Sequence, residues 1–360
     1  MSKSLKKVIT LRMETITSAL FYMQNRLHII LTLSCSALLL YALTGCRETS
    51  PYGKLLMDGC YPYALWHQGK YYCMIQERST TDIISLTVVD NLSDWPSAKR
   101  YTIFKAKKKG LNRIYSPEIH IIKGKWFVYL EADDGKDTDT HQLYVLEAQG
   151  ADPTSCSYTL HGPIITDRAW NFGLHPSTIV VHGTQYLLWS GWPHRRIEEE
   201  TQCIYIARMK NPWTLSSPRV LISKPTYEWE RQWINPDGSR SAYPIYVNEN
   251  PQPILSEDSS KVLVFYAASG CWTAFSCVGL IYASSSADLT DPTVWHKRKE
   301  PFITTFPEDS ICGIEDLCVV RKPGEKSLLL LYDAKQNNHF SERKIWMKKS
   351  EYDRKGFPVL

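Results

Sequence analysis

One phrase recurs five times in this 360-residue chain, and it limits the fold more than any other feature of the sequence. A turn is followed by a run of aromatic and apolar residues, as in His67-Gln68-Gly69-Lys70-Tyr71-Tyr72-Cys73-Met74-Ile75. The phrase returns at residues 122–130, 181–189, 259–266 and 324–332. Its turn positions 69, 124, 183, 260 and 324 lie 55, 59, 77 and 64 residues apart. Self-similarity at such a spacing is the mark of a repeat architecture. Each copy reads as a hairpin entering a buried strand, because β-branched and aromatic residues follow a Gly or Ser-Lys turn. A second strand follows each copy, at 82–89, 141–148, 203–207, 278–283 and 343–347. No segment keeps a helical period. Units of about 60 residues with four short antiparallel strands are the blades of propellers. The expected fold is therefore all-β: a single-domain, five-bladed β-propeller over residues 46–360.

The first 45 residues are expected to lie outside that fold as a signal segment. An apolar stretch, Leu27 to Leu43, follows Arg26 and ends in Leu43-Thr44-Gly45-Cys46, which resembles a bacterial lipobox. The stretch is short for a membrane span, and the small residues before Cys46 suit cleavage. Met23 serves as well as Met1 for a start, since Met23 to Arg26 makes a short basic leader. Lipidation of Cys46 would anchor the chain to a membrane of the bacterial cell envelope, with the outer membrane the expected one. From Cys46 onward 37 basic residues face 36 acidic ones, so nucleic acid is not an expected partner. Eight cysteines follow Cys46 with no zinc-ligand spacing. Cys271 with Cys277, or Cys312 with Cys318, could bridge in an oxidising compartment, and buried thiols in strands fit equally well.

A propeller gathers the first strand of every blade around one axis, so residues just before each hairpin should converge. They are Asp58 and Tyr61-Pro62, Tyr115 to His120, Leu174 to Ser177, Val247 to Pro251 and Gly313 to Asp316. Carboxylates facing each other across such a funnel suit glycoside hydrolysis, in which one protonates the leaving oxygen and the other activates water. An inverting pair would be separated by roughly 6.5–9.5 Å. Aromatics that could stack on a sugar are Trp66, Trp170, Trp192, Trp229 and Trp272.

Several of these residues resemble motifs of glycoside hydrolase family 43, five-bladed enzymes that are mostly arabinofuranosidases, xylosidases and arabinanases. They are Ser116-Pro117-Glu118-Ile119-His120 before Gly124-Lys125-Trp126, Leu188-Trp189-Ser190-Gly191-Trp192, and Val247 to Pro251 with Ala268-Ser269-Gly270. The resemblance implies hydrolysis of O-glycosidic bonds in a plant or host oligosaccharide or polysaccharide, with no required cofactor. It makes Glu249 the general acid. The family's general base is an aspartate before a proline in blade one, where this chain has Tyr61 ahead of Pro62. Its second aspartate, which tunes and orients the acid, falls on His175 ahead of Pro176-Ser177, a substrate-binding position. The blade-five histidine near a central ion falls on Asp316, a candidate ligand for a cation such as Ca2+.

Three readings follow. In the first, the chain is a hydrolase in which Glu118, Asp58 or Asp316 supplies the base, or Tyr61 acts as an activated phenol. In the second, it binds carbohydrate in the envelope without turnover. In the third, it is a protein scaffold beside a glycan-uptake complex.

Overall fold

The computed structural model describes residues 50–76, 82–194, 201–232, 246–305, 311–336 and 339–360, so Cys46 and the signal-like segment lie outside it. Strand β1 (Lys54–Asp58) precedes an antiparallel meander of β2 (Cys60–His67), β3 (Lys70–Gln76), β4 (Ile83–Val89) and β5 (Arg100–Lys105). A second meander contains β6 (Asn112–Ile122), β7 (Lys125–Asp133), β8 (Gln142–Ala148) and β9 (Tyr158–Ile164). A nine-stranded sheet holds the next two repeats. Its first half is β10 (Leu174–Val181), β11 (Thr184–Gly191) and β12 (Thr201–Asn211), with β13 (Thr214–Leu215) and β14 (Val220–Ser223) both paired to β12. Its second half is β15 (Tyr246–Leu255), β16 (Lys261–Ala268), β17 (Cys277–Ser284) and β18 (His296–Lys297). A two-residue parallel pairing, Thr201 with Tyr246 and Gln202 with Val247, joins the halves. The last sheet runs β19 (Ile311–Arg321), β20 (Ser327–Gln336) and β21 (His339–Tyr352), with β22 (Pro358–Val359) paired to β21. Strand β1 also pairs with β21, so the N-terminal strand completes the C-terminal sheet.

The hairpin turns form where the repeated phrase places them. Gln68-Gly69, Lys123-Gly124 and His182-Gly183 all have positive φ at both central residues, from 47° to 85°. That is the type I′ geometry whose twist matches the flanking strands. The fourth and fifth copies use longer loops; in the fourth, Asp258 Oδ1 accepts from Ser256 Oγ at 2.7 Å and from the Ser260 N–H at 3.0 Å.

Strand residues alternate between two cores, because successive side chains point to opposite faces of a sheet. Val128 and Leu130 of β7 pack with the first meander, while Phe127 and Tyr129 pack with Leu187 and Trp189 of β11. Leu188 joins Val262 and Val264 of β16, and Leu263 and Phe265 face Leu328 and Leu330 of β20. Leu331 then returns to the core of the first meander. Every sheet is thus buried on both faces, which is why the strands read as continuous apolar runs. The first strands neighbour one another in a cycle, β2 to β6 to β10 to β15 to β19 and back to β2. The eight described cysteines are free thiols.

Candidate active site

Each first strand slips against its partner at the same place. Between Cys60, opposite Gln76, and Tyr63, opposite Met74, strand β2 carries one residue more than β3. The same extra residue lies between Tyr115 and Glu118, Leu174 and Ser177, Glu249 and Gln252, and Glu315 and Cys318. These are β-bulges, which bend a strand and re-aim its side chains. The residue opening each bulge is left-handed without being glycine: Tyr61 (φ 51°), Ser116 (45°), His175 (50°), Asn250 (52°) and Asp316 (47°). Such a backbone costs energy and persists only when its surroundings hold it.

Hydrogen bonds from the preceding repeat do the holding. The Tyr61 N–H donates to Asp333 Oδ2 at 3.1 Å, and the Asn250 N–H donates to Ser190 Oγ at 2.9 Å. The His175 N–H donates to a Glu131 carboxylate oxygen. In each case the acceptor stands on the second strand of the repeat before, opposite the residue that precedes that repeat's own bulge. Four of the bulges line one central cavity of about 10 Å³, formed by Tyr61, Ser116, Asn250 and Asp316 with Glu118 and Gln252. That is room for about one water, so a sugar has to sit above it, beside the residues preceding the bulges.

Glu249 is one of those residues. It is half-buried at the bulge of β15, and Gln202 Nε2 donates to its Oε2 at 2.9 Å. Burial, then the nearby Glu315 charge, raises its carboxyl to about 7. Next to it Asn250 Nδ2 donates to Asp316 Oδ1 at 2.7 Å. Arg343 of β21 reaches Asp316 at 2.9 Å and Asp333 at 3.4 Å, and also contacts Glu315. Lys335 of β20 reaches Glu315 at 3.3 Å, with both side chains almost wholly buried. Burial opposes charge on Glu315, yet Arg343 and Lys335 hold its carboxyl below the usual range. Burial, then Asp333, pushes Asp316 well up.

The structure places Asp58, a sequence candidate for the base, and Tyr61, the candidate activated phenol, in surroundings that do not favour those roles. Asp58 ends β1, the outer strand of the last sheet, where its side chain is 86% exposed and paired with Lys344 at 3.8 Å. Tyr61 does stand at the bulge, 5.7 Å from the His175 ring and 5.8 Å below the Arg343 guanidinium. Its phenol is not activated, however, because burial and then Asp316 push its pKa up. Glu118 lies beyond its bulge, buried, bound to His120 Nε2 at 3.0 Å and accepting from Gln252 Nε2, so it ties β6 to β15. His175 is buried and lowered to about 3, chiefly by that burial, and its Nδ1 lies 3.3 Å from Ser190 Oγ.

The aromatic residues divide. Trp66 sits at the turn end of β2, packed edge-on against Tyr71 at 4.8 Å with Lys322 over its ring, and so belongs to the opposite rim. Trp170 stacks on Phe172 at 4.9 Å, in a cluster with Trp192, Val247 and Leu174 beside the β10 bulge. Trp192 is buried there, which removes its face as a platform. Trp272 is 38% exposed, one residue after the half-buried Cys271, whose thiol feels Glu315, Arg343 and Glu249. Asp316, the expected cation ligand, does stand with Glu315 and Asp333 in one carboxylate group. Arg343 occupies the centre of that group, so the residues fit a guanidinium rather than Ca2+. Sequence reasoning placed Glu315 among the converging residues without giving it a role, and missed Asp333, Lys335, Arg343 and Glu131. The available signal was charge inside an apolar run, as in Leu331-Tyr332-Asp333-Ala334-Lys335.

The model of glycosyl hydrolases family 43 matches residues 56–358. The chain belongs to this family. An extracellular exo-α-(1→5)-L-arabinofuranosidase of Streptomyces avermitilis is 32% identical over 275 residues, which is 76% of this chain and 54% of that protein. An α-L-arabinofuranosidase B of Pyricularia oryzae is 30% identical over 278 residues, again 76% and 54%. The chain therefore spans about half the length of these curated relatives. Among solved structures, an α-L-arabinofuranosidase from Lactobacillus brevis superposes with a TM-score of 0.74 at 24% identity, covering 87% of this chain and 95% of that one. That likeness supports the family 43 all-β fold.

Proposed function

We propose that this chain is an exo-acting glycosidase of the arabinofuranosidase type, with Glu249 as the general acid. The observation that carries the reading is the place of Glu249: it stands immediately before the bulge of β15 with Gln202 on its carboxylate, and burial raises that carboxyl to about 7, so that a substantial share of it holds its proton near neutral pH. A general acid works best with a pKa near the working pH. In this reading the five repeats are blades of a five-bladed propeller, supported by the cycle of first strands and by β1 completing the last sheet. Asp316 shares the central cavity with Tyr61, the position where the family resemblance expects the base, and it would take the proton of the attacking water only in its ionised form, which burial and Asp333 oppose. Trp170 and Trp272 flank the sugar. The relatives' names point to terminal α-L-arabinofuranose as the substrate.

A second reading, carbohydrate binding without turnover, is favoured by one observation. The two aspartate positions hold Tyr61, whose phenol keeps its proton, and His175, which stays neutral. Assay on an aryl α-L-arabinofuranoside and on 1,5-linked arabino-oligosaccharides separates the two readings. Turnover that falls by roughly 10²–10⁴ in Glu249→Gln supports the hydrolase. Saturable binding without turnover in the wild type supports the binding protein. We further propose that the mature chain is lipid-anchored through Cys46 in the cell envelope, on the strength of Leu43-Thr44-Gly45-Cys46. Palmitate labelling that persists in Cys46→Ser would remove that proposal.

A further inference from the structure

We propose that Glu315 is the positioning residue of this site, a fixed negative charge beside Glu249 that keeps the acid loaded with its proton. The proposal rests on Glu249 being the acid. It moves to β19 a task that the family resemblance gives to an aspartate at the His175 position.

The register makes the first argument. Glu249 and Glu315 hold the same place, immediately before the bulge, in the neighbouring first strands β15 and β19. The residues that follow them, Asn250 and Asp316, are joined side chain to side chain at 2.7 Å. The two carboxylates therefore leave adjacent strands at one level.

The second argument is how Glu315 is held. Arg343 contacts one of its oxygens, and Lys335 Nζ lies 3.3 Å from the other while donating to the Thr273 carbonyl at 2.8 Å. Gly313 makes room for that ammonium. Its φ is +58°, and a Cβ there would meet Lys335 Nζ at 2.9 Å and the Thr273 oxygen at 3.0 Å. Two cations on one buried carboxylate fix both its charge and its place.

The third argument is elimination among the groups that act on Glu249. Gln202 is uncharged. Glu131 is raised to about 8, first by burial, and so is mostly neutral at pH 7. The Cys271 thiol is pushed up to about 12, again by burial first. Lys335 and Arg343 favour the ionised acid and so work against proton retention. Among these described groups, Glu315 alone carries negative charge at neutral pH. His175 cannot substitute, because burial keeps it neutral.

The bland alternative is a buried ion-pair network that only pins β20 and β21 to β19. Such networks add little net stability over apolar packing. The two roles part on one measurement, the carboxyl titration of Glu249 followed by ¹³C NMR in the folded chain and assigned with Glu249→Gln. The proposal expects an elevated midpoint in the wild type, a fall of about one pH unit or more in Glu315→Gln, and retention in Glu315→Asp. Lys335→Met should shift the midpoint upward, and the double variant Glu315→Gln with Lys335→Met, which removes both members of the buried pair, serves as the deciding variant if Glu315→Gln does not fold, with a midpoint expected below that of Lys335→Met alone. A wild-type midpoint near 4.5, or a Glu249 midpoint that does not fall when Glu315→Gln is introduced, alone or beside Lys335→Met, would overturn it. The readout needs no turnover. An enzyme that turns over with an unmoved midpoint sinks this proposal alone. A coupled titration without turnover sinks only the hydrolase reading.

Discussion

At the hairpin end of the first strands, backbone and sequence repeat together; at the bulge end the backbone repeats and the side chains do not. Gly69, Gly124 and Gly183 occupy equivalent turns with φ of 77–85°, and open space surrounds all three. Tyr61, Ser116, His175, Asn250 and Asp316 occupy equivalent bulges with φ of 45–52°, yet no two are the same residue. The hairpin turn has no support except its own conformational preference, so it needs glycine. The bulge is held from outside, by acceptors such as Asp333, Glu131 and Ser190. A geometry held from outside leaves its side chain free to change. The fold can therefore persist while the aspartates expected at positions 61 and 175 give way to tyrosine and histidine.

Four substitutions test that contrast, the largest effect first. Arg343→Met leaves Glu315, Asp316 and Asp333 without their shared counter-charge. A partner removed from a buried ion pair costs about 3–5 kcal/mol, so urea unfolding should show a loss of that order, together with loss of turnover. Gly124→Ala at the hairpin end meets no atom within 4 Å and pays only for its left-handed backbone. The expected loss is roughly 1–2 kcal/mol with kcat unchanged, and an unaltered Tm would show that the turn is not under conformational control.

Ser116→Gly should act in the opposite direction. Its hydroxyl is buried without a hydrogen-bond partner among the described residues, and its φ is positive. Relief of both should stabilise the chain by roughly 0.5–1 kcal/mol after the entropic cost of glycine. A marked destabilisation would mean that the serine side chain helps to hold the bulge.

The fourth test is a pH slope. Glu131 is raised from 4.5 to about 8 by burial, so between those values the folded chain retains a proton that the unfolded chain has released. Stability should therefore fall as pH rises from about 4.5 to about 8. Glu249 adds to this fall up to about 7. His175 works on the acid side: its folded pKa is about 3, so stability falls as pH drops from its ordinary value of 6.5 toward 3. Glu131→Gln should flatten the alkaline decline in thermal unfolding and leave the acid limb in place. An unchanged slope would show that Glu131 is not the group responsible.

The legible part of the site was the part carried by local pattern. Glu249 could be found because Glu249-Asn250-Pro251 is a contiguous motif, and His175 and Tyr61 because each precedes a proline. Asp58 was misplaced because its strand pairs with residues near the other end of the chain, Asp58 opposite Lys344, and no local signal encodes that partner. Trp66 was misplaced because it lies five positions along the strand from Tyr61, about 17 Å of rise. Glu315 was passed over in favour of Asp316. The equivalence of Glu315 with Glu249 appears only once both bulges are aligned with their partner strands.

The sequence by itself determined the repeat, the strands, the turns and the two-sided burial. These depend on short-range preferences of glycine turns and on side-chain alternation, which a few consecutive residues suffice to express. Tertiary structure alone decided the charge state of the site. Glu249, Glu315, Lys335 and Arg343 meet from strands 66, 86 and 94 residues along the chain from Glu249. Their titration depends on burial and mutual distance, which no stretch of sequence contains until the sheets have packed.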